Sequence, residues 1–258
     1  MRGVIVRFFA SCLVELLRPD IATAAQRALQ GAGHEPEALV GATCCGQPAY
    51  NAGYGAEARR VARRTLRALG DDDRPCVVAS GSCATMIAHH WPELFEGTRE
   101  ETAARRAAGR TVELTAFMTT SGDDAAPASG TGHDDHAGGP DGSRPGGRAA
   151  VIVHDSCHAL RELGAGATVR RALADAGHPT RSAEGSERCC GFGGSFSVKL
   201  PAVSVAMADE KLDSFVATGC EQVTSCDLSC LLHLQGRARR RGLELRFDHV
   251  ATLLDRET

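Results

Sequence analysis

The sequence predicts an α/β protein of two duplicated cysteine-rich lobes, each a small, mostly parallel sheet flanked by helices. Three observations carry that expectation. Cys12, the pair Cys44-Cys45 and Gly46 return as Cys157, Cys189-Cys190 and Gly191, with the first cysteine 32 positions ahead of the pair in each copy. The octet RALQGAGH, Arg27 to His34, matches RALADAGH, Arg171 to His178. Each copy also alternates short β-branched runs with longer stretches of helically spaced Leu and Ala, the pattern of strand and crossover helix in a parallel sheet.

Each copy opens with a buried strand, Val4 to Val6 or Ala150 to Val153, and its first cysteine falls at the strand-to-helix turn. The following helix should stop where Gly33 or Gly177 can take a positive φ, with Pro36 or Pro179 just beyond. A second helix is expected from Ala56 to Leu69, with Arg59, Arg60, Arg63 and Arg64 outside and Val61, Leu66 and Leu69 toward the core. Its counterpart is Ala202 to Phe215. Short strands follow, Cys76 to Ala79 and Gln222 to Thr224, and the last cysteines, Cys83 and Cys230, come directly after them. The copies occupy residues 1–118 and 148–258. Between them, residues 119–147 are dominated by Gly, Ser, Asp, Pro and Ala and read as a flexible linker, with His133 and His136 part of a solvated spacer.

Composition excludes several function classes. A net charge of −3 without a basic patch, together with 4% aromatic residues, argues against nucleic acid. No apolar run reaches the roughly 18 residues of a membrane span. Arg7 and Glu15 interrupt the apolar N-terminus, which therefore does not read as an export signal. Eleven cysteines, an odd number with two adjacent pairs, fit a reducing cytoplasm better than a disulfide scaffold.

Parallel α/β lobes bind ligands outside the carboxyl ends of their strands, and the strand-then-cysteine order places the thiols there. Thiolates select soft metals, and four per copy suffice for a 4Fe-4S cluster, giving one or two clusters per chain. The first set is Cys12, Cys44, Cys45 and Cys83; the second is Cys157, Cys189, Cys190 and Cys230, with Cys226 as an alternative fifth ligand. A Cys-Cys pair can serve one site only if the chain turns sharply, which Gly46 and Gly191 permit. Zinc is the rival metal, although adjacent cysteines make an awkward zinc knuckle.

Secondary candidates surround these sets. His154 and His158 flank Cys157 and could lower its pKa or donate to a cluster sulfur, with Asp155 orienting one of them. The glycine-rich Cys189 to Ser195 lacks the lysine of a phosphate loop. Cys76 and Cys220 read as buried thiols outside both sets, His89-His90-Trp91 as core edge, and Arg237 to Arg241 as a solvated helix face or a docking surface.

The phrases CCGQPAYNAGY from Cys44, SGSCATMI from Ser80, HDSCHALRELG from His154, RCCGFGGSFSVK from Arg188 and SCLLHL from Ser229 carry a resemblance. The chain resembles the cysteine-rich CCG-domain proteins, which include the cysteine-rich component of heterodisulfide reductase and the iron-sulfur subunit of glycolate oxidase, and is most similar to the lactate-utilization members. That resemblance implies a cytoplasmic iron-sulfur subunit that passes electrons during oxidation of L-lactate to pyruvate, beside companion iron-sulfur and small subunits. The alternatives are a thiol or disulfide reductase of the heterodisulfide reductase type and a zinc-stabilised interaction module. The broad family ends each motif with two cysteines separated by two residues, whereas this chain has Ser80 before Cys83 and Asp227 before Cys230. A four-thiolate cluster and an oxygen ligand from Ser80 or Asp227 both remain open.

Overall fold

The computed structural model describes residues 3–120 and 148–255; the expected linker, with His133 and His136, lies outside the described residues except for Thr119 and Thr120. The first copy runs β1 (Ile5–Phe9), α1 (Cys12–Leu17), α2 (Pro19–Gly31), β2 (Glu35–Ala38), α3 (Gln47–Asn51), α4 (Gly55–Leu69), β3 (Cys76–Val78) and α5 (Gly81–Thr85). A π-helical turn, Met86–His90, then leads into α6 (Trp91–Leu94), α7 (Glu101–Gly109), β4 (Thr111–Glu113) and α8 (Leu114–Thr119). The second copy runs β5 (Val151–Val153), α9 (Cys157–Leu163), α10 (Gly166–Asp175), β6 (Thr180–Arg181), α11 (Ser195–Lys199), α12 (Pro201–Ala217), β7 (Gln222–Ser225), α13 (Leu228–Arg241), β8 (Arg246–His249) and α14 (Val250–Leu254).

Both sheets are four-stranded and wholly parallel, ordered β2-β1-β3-β4 and β6-β5-β7-β8. The predicted α/β class and its duplication are thus present in the same strand order twice. In each sheet the chain steps outward on one side of the first strand and then returns to the other side. That reversal opens a crevice at the carboxyl ends of β1 and β3, and of β5 and β7. Cys12 and Cys83 follow the first pair of strands; Cys157 and Cys230 follow the second.

Local sequence explains most elements. Gly33 and Gly177 take φ of 89° and 80° just past α2 and α10, as helix-ending residues free of a Cβ can. The polar tetrapeptide of β2 contains Pro36, tolerable because β2 is an edge strand that needs fewer backbone donors. In α4 the buried stripe is Ala58, Ala62, Thr65, Leu66 and Leu69. Val61, expected toward the core, is instead exposed because it lies a quarter-turn off that stripe.

The lobes are not separate beads. Leu228 and Ala251 of the second copy belong to the apolar core that contains Val6, Phe8, Val14 and Ile21, and Ala28 of the first belongs to the core around Val151 and Val169. Helix α5 packs on α9, α2 on α14 and α8 on α10. Among the described residues no helix is long and apolar enough to cross a membrane.

Candidate metal centres

Every one of the eleven cysteines is a free thiol. In the first lobe, the Cys12 Sγ lies 3.6 Å from Cys44 Sγ, and Cys45 Sγ lies 3.3 Å from Cys83 Sγ. Cys44 and Cys45 are themselves in hydrogen-bonding contact, so the four sulfurs form one string. The second lobe repeats it: Cys157 contacts Cys189, Cys189 contacts Cys190, and Cys190 Sγ lies 3.1 Å from Cys230 Sγ. Sequence separation of up to 73 residues is therefore closed by the fold alone, without a disulfide.

The turn after each pair is what aims both of its sulfurs into one site. Gly46 and Gly191 adopt φ of 90° and 88°, in the left-handed region. A Cβ on either would lie 2.8 Å from the Ala58 carbonyl oxygen or 2.6 Å from the Ser204 carbonyl oxygen. Each glycine N–H then reaches back to the first sulfur of its pair, Gly46 to Cys44 at 3.5 Å and Gly191 to Cys189 at 3.4 Å. Thr65 fixes the approach to the first pair, donating to the Cys44 carbonyl at 2.9 Å and accepting from the Thr43 N–H. Ser204 does the same for the second, donating to the Gly191 carbonyl at 2.7 Å. Ahead of Cys12, Ser11 holds φ 82° and ψ 153°, the one positive φ outside glycine among the described residues. That region is nearly exclusive to glycine, so its occupation marks strain beside the site.

Electrostatics within each string follow the hydrogen bonds. Cys44 is held below the usual thiol range by donation from Cys12, then from Cys45, with help from the Gly46 N–H. Cys189 is lowered in the same way by Cys157 and Cys190. Cys12 and Cys157 are pushed up by giving their protons to these partners, and Cys45 and Cys190 by the neighbouring sulfurs and by burial. One thiolate per lobe thus forms readily, and a cation entering the string would displace the remaining protons. Converging soft donors, backbone N–H groups on sulfur and a glycine cradle fit a thiolate-bound metal or cluster.

The structure sorts the other candidates. Cys226 is buried on the second lobe's inner side, where a Cβ at Gly81 would lie 2.9 Å from its Sγ; among the described residues no hydrogen bond ties it to the sulfur string, although its thiol, raised first by burial, is raised further by Cys230 close by. Cys76 is buried in β3, its thiol pushed up to about 12 by burial, while Cys220 is only half-buried beside the second lobe's core. His158 Nδ1 lies 3.6 Å from Cys157 Sγ. Asp155 orients neither histidine, because Arg170 takes both its oxygens at 2.7 and 2.8 Å. Arg237 and Arg241 of the basic run are paired with Asp209 and Asp213 on α12.

Ser80 and Asp227, left open as oxygen ligands, meet each other instead. Asp227 Oδ1 accepts from Ser80 Oγ and Ser82 Oγ at 2.7 Å each, and the Ser82 N–H reaches both carboxylate oxygens at 3.1 Å. Those oxygens bridge the two lobes. His154 is buried with both ring nitrogens unpartnered, and ring nitrogen, Cys190 Sγ and Cys230 Sγ all lie within 4.8 Å of one another. Two residues do more than the sequence reading gave them. Trp91, read as core edge, is fully buried and donates from Nε1 to the Cys45 carbonyl at 2.9 Å. Lys211, buried in α12, donates to the Gly185 and Ser186 carbonyls at 2.7 and 2.9 Å, and nothing in its helical context announced it.

Comparison with known proteins gives a consistent picture. The cysteine-rich CCG domain matches residues 6–88 and again residues 151–235. Lactate utilization protein A of Bacillus thuringiensis (strain Al Hakam) is 34% identical over 252 residues, covering 97% of this chain and 98% of the relative. Lactate utilization protein A of Bacillus cereus (strain B4264) and lactate utilization protein A 1 of Bacillus anthracis (strain A0248) are similar to the same extent.

Proposed function

Because the chain belongs to the cysteine-rich CCG-domain family, and within it to the group of lactate utilization protein A, we propose that it is the iron-sulfur subunit of a cytoplasmic system that oxidises L-lactate to pyruvate. It works there with a companion iron-sulfur protein and a smaller subunit. The observation that carries this reading is the string of four contacting sulfurs in each lobe, gathered at the crevice of a parallel sheet.

Cys12, Cys44, Cys45 and Cys83 would hold one 4Fe-4S group, and Cys157, Cys189, Cys190 and Cys230 a second. Bound to thiolates, such a group takes up and releases single electrons at a potential set by hydrogen bonds and burial. The chain's own residues supply those settings. The Gly46 and Gly191 N–H groups donate to the lowered thiols. Trp91, Phe9 and Met86 shield the first site from water, and Phe192 covers the second. Two sites per chain match the two electrons that leave lactate as it becomes pyruvate.

A second reading, a zinc-stabilised interaction module, is favoured by one observation. Sulfur spacings of 3.1 to 3.6 Å approach the edge of about 3.8 Å that a tetrahedral site with Zn–S bonds of about 2.3 Å requires. Oxygen-free purification followed by iron, acid-labile sulfide and zinc analysis separates the two. Several irons with matching sulfide per chain are expected, and zinc without sulfide would end the cluster reading. Lactate-dependent dye reduction by the three-protein system should collapse when this chain is left out; undiminished reduction would remove its assigned role.

A further inference from the structure

The duplication is closest in the ligands and loosest in what surrounds them. Three positions ahead of the first cysteine, the first lobe has Phe9 and the second His154. Both are buried at the end of the central strand, Phe9 packed with Cys45 and Cys83, His154 beside Cys190 and Cys230. Seven positions past the residue that cradles the site glycine, Ala58 or Ser204, the first lobe has Thr65 and the second Lys211. Three positions past the last cysteine, it has Met86 against His233.

We infer that the second lobe is built to hold its cluster at a higher reduction potential than the first, with His154 donating an N–H to a sulfur of that site and Lys211 placing an ammonium group beside it. This rests on the iron-sulfur reading above. Adding an electron to a thiolate-bound cluster adds negative charge, so donors and cations nearby favour the reduced form. In the buried setting they act with little screening.

The geometry is specific to the second lobe. His154 is surrounded by core, and no group among the described residues takes either ring nitrogen, so its N–H has no competing acceptor there. An imidazole carries at least one N–H in either protonation state, so the ring has a donor to give. Lys211 spends two of its three donors on backbone carbonyls, fixing the ammonium under the loop that carries Cys189 and Cys190. His233 contacts Ser204 Oγ at 3.3 Å and its ring lies tilted against Phe192 with centroids 6.0 Å apart, adding a third polar group on the Cys189 side. The first lobe presents Phe9, Thr65 and Met86 to the equivalent space. With thiolate-bound iron in both lobes, His154 and Lys211 would therefore favour an electron on the second lobe over the first.

The test is a potentiometric titration of the oxygen-free, cluster-loaded full chain, followed by electron paramagnetic resonance. The wild type should give two waves. His154→Phe and Lys211→Thr should each lower the upper wave by roughly tenfold in the one-electron equilibrium, about 59 mV, and leave the lower wave in place. Phe9→His should raise the lower wave. His154→Gln, which keeps an N–H, should retain most of the wild-type potential and guards against a merely structural effect. Loaded clusters whose waves do not move would overturn this inference alone. Absence of iron and sulfide from the wild type would overturn the iron-sulfur reading and this inference with it. A strong hyperfine coupling from a directly bonded nitrogen, lost in His154→Phe, would make His154 a ligand and also overturn it.

Discussion

Cys44 and Cys76 are the same residue type in the same lobe, both packed against the core that contains Trp91, yet the fold gives them opposite chemistry. Cys44 accepts donors from three directions and loses its proton easily, whereas Cys76 sits inside a strand with its thiol pushed up to about 12. Only the first is prepared to become a ligand. Cys44→Ser or Cys189→Ser should therefore remove most of the iron from one lobe, roughly half of a fully loaded chain's content. Cys76→Ser should leave iron nearly intact. Atomic absorption on the three variants checks this, and equal iron in all of them would refute the ligand sets. These cysteines were legible in the sequence because the spacing repeats. Lys211 was not, because a lysine in a helical stretch has no periodic partner to betray it, and Trp91 was legible only as core edge, not as a donor to the Cys45 carbonyl. His154 stood out beside Cys157, but its sequence neighbours gave no sign that both its nitrogens would be left without partners.

Elements contribute through their ends more than through their lengths. Five of the six helices that carry or follow the thiols, α1, α3, α5, α9 and α11, have five to seven residues, too few for periodicity to reveal, and only α13, which carries Cys230, is long; the sequence therefore exposed the long α2, α4, α10 and α12 far better. The turns before α3 and α11 depend on glycine. Gly46→Ala or Gly191→Ala forces an unfavourable positive φ and pushes a Cβ into a backbone carbonyl; a loss of at least about 2 kcal/mol and lower iron retention are expected in urea and metal assays. At α14 the cap itself titrates. His249 Nδ1 accepts from the Ala251 N–H at 3.2 Å, which requires a neutral ring. Burial lowers its pKa from 6.5 to about 4, so between those values the unfolded chain binds a proton that the native chain does not. The stabilisation is whole above about pH 6.5 and is lost as pH falls toward 4, on the order of 3 kcal/mol. Glu113 works the other way: burial raises it to about 7, so its contribution, whole below about pH 4.5, declines as pH rises toward 7. A difference measurement isolates the cap. His249→Asn keeps an acceptor without the titration, so its urea midpoint should fall less than that of the wild type from pH 6.5 to 4. Parallel curves would show that His249 is not the source.

On the scale of the whole molecule, the duplicated lobes meet along a seam that includes Ser80 and Asp227, the two positions where this chain departs from the paired-cysteine ending of the family it resembles. Ser80 and Asp227, three residues before Cys83 and Cys230, bond to each other across the boundary, and Gly81 N–H donates to the Cys226 carbonyl at 3.3 Å beside them. His90 Nε2 meets Glu162 at 2.9 Å and Thr115 Oγ1 meets Thr168 Oγ1 at 3.2 Å along the same boundary. Sequence comparison of the two copies could not foresee this, since each repeat reads as a complete unit and the shared core appears only when they pack. The consequence is that helices α5 and α9, which begin at the edges of the two sulfur strings, are held in fixed relation. Gly81→Ala tests the seam most directly, because its Cβ would stand 2.5 Å from Ala159 Cβ and 2.9 Å from Cys226 Sγ, contacts that only a parting of the lobes relieves. Asp227→Ala should act by a second route, stranding the buried Ser80 hydroxyl and two partly buried donors of Ser82, at about 1.5 to 3 kcal/mol for the buried charge-assisted bond and less for the others. Both variants should keep iron and sulfide near the wild-type ratio, since no ligand is touched, while amide hydrogen exchange rises in α5 and α9 and electron exchange between the two clusters slows. Unchanged exchange protection in both variants would mean that the apolar core shared through Leu228, Ala251 and Ala28 is sufficient to fix the lobes without the polar seam.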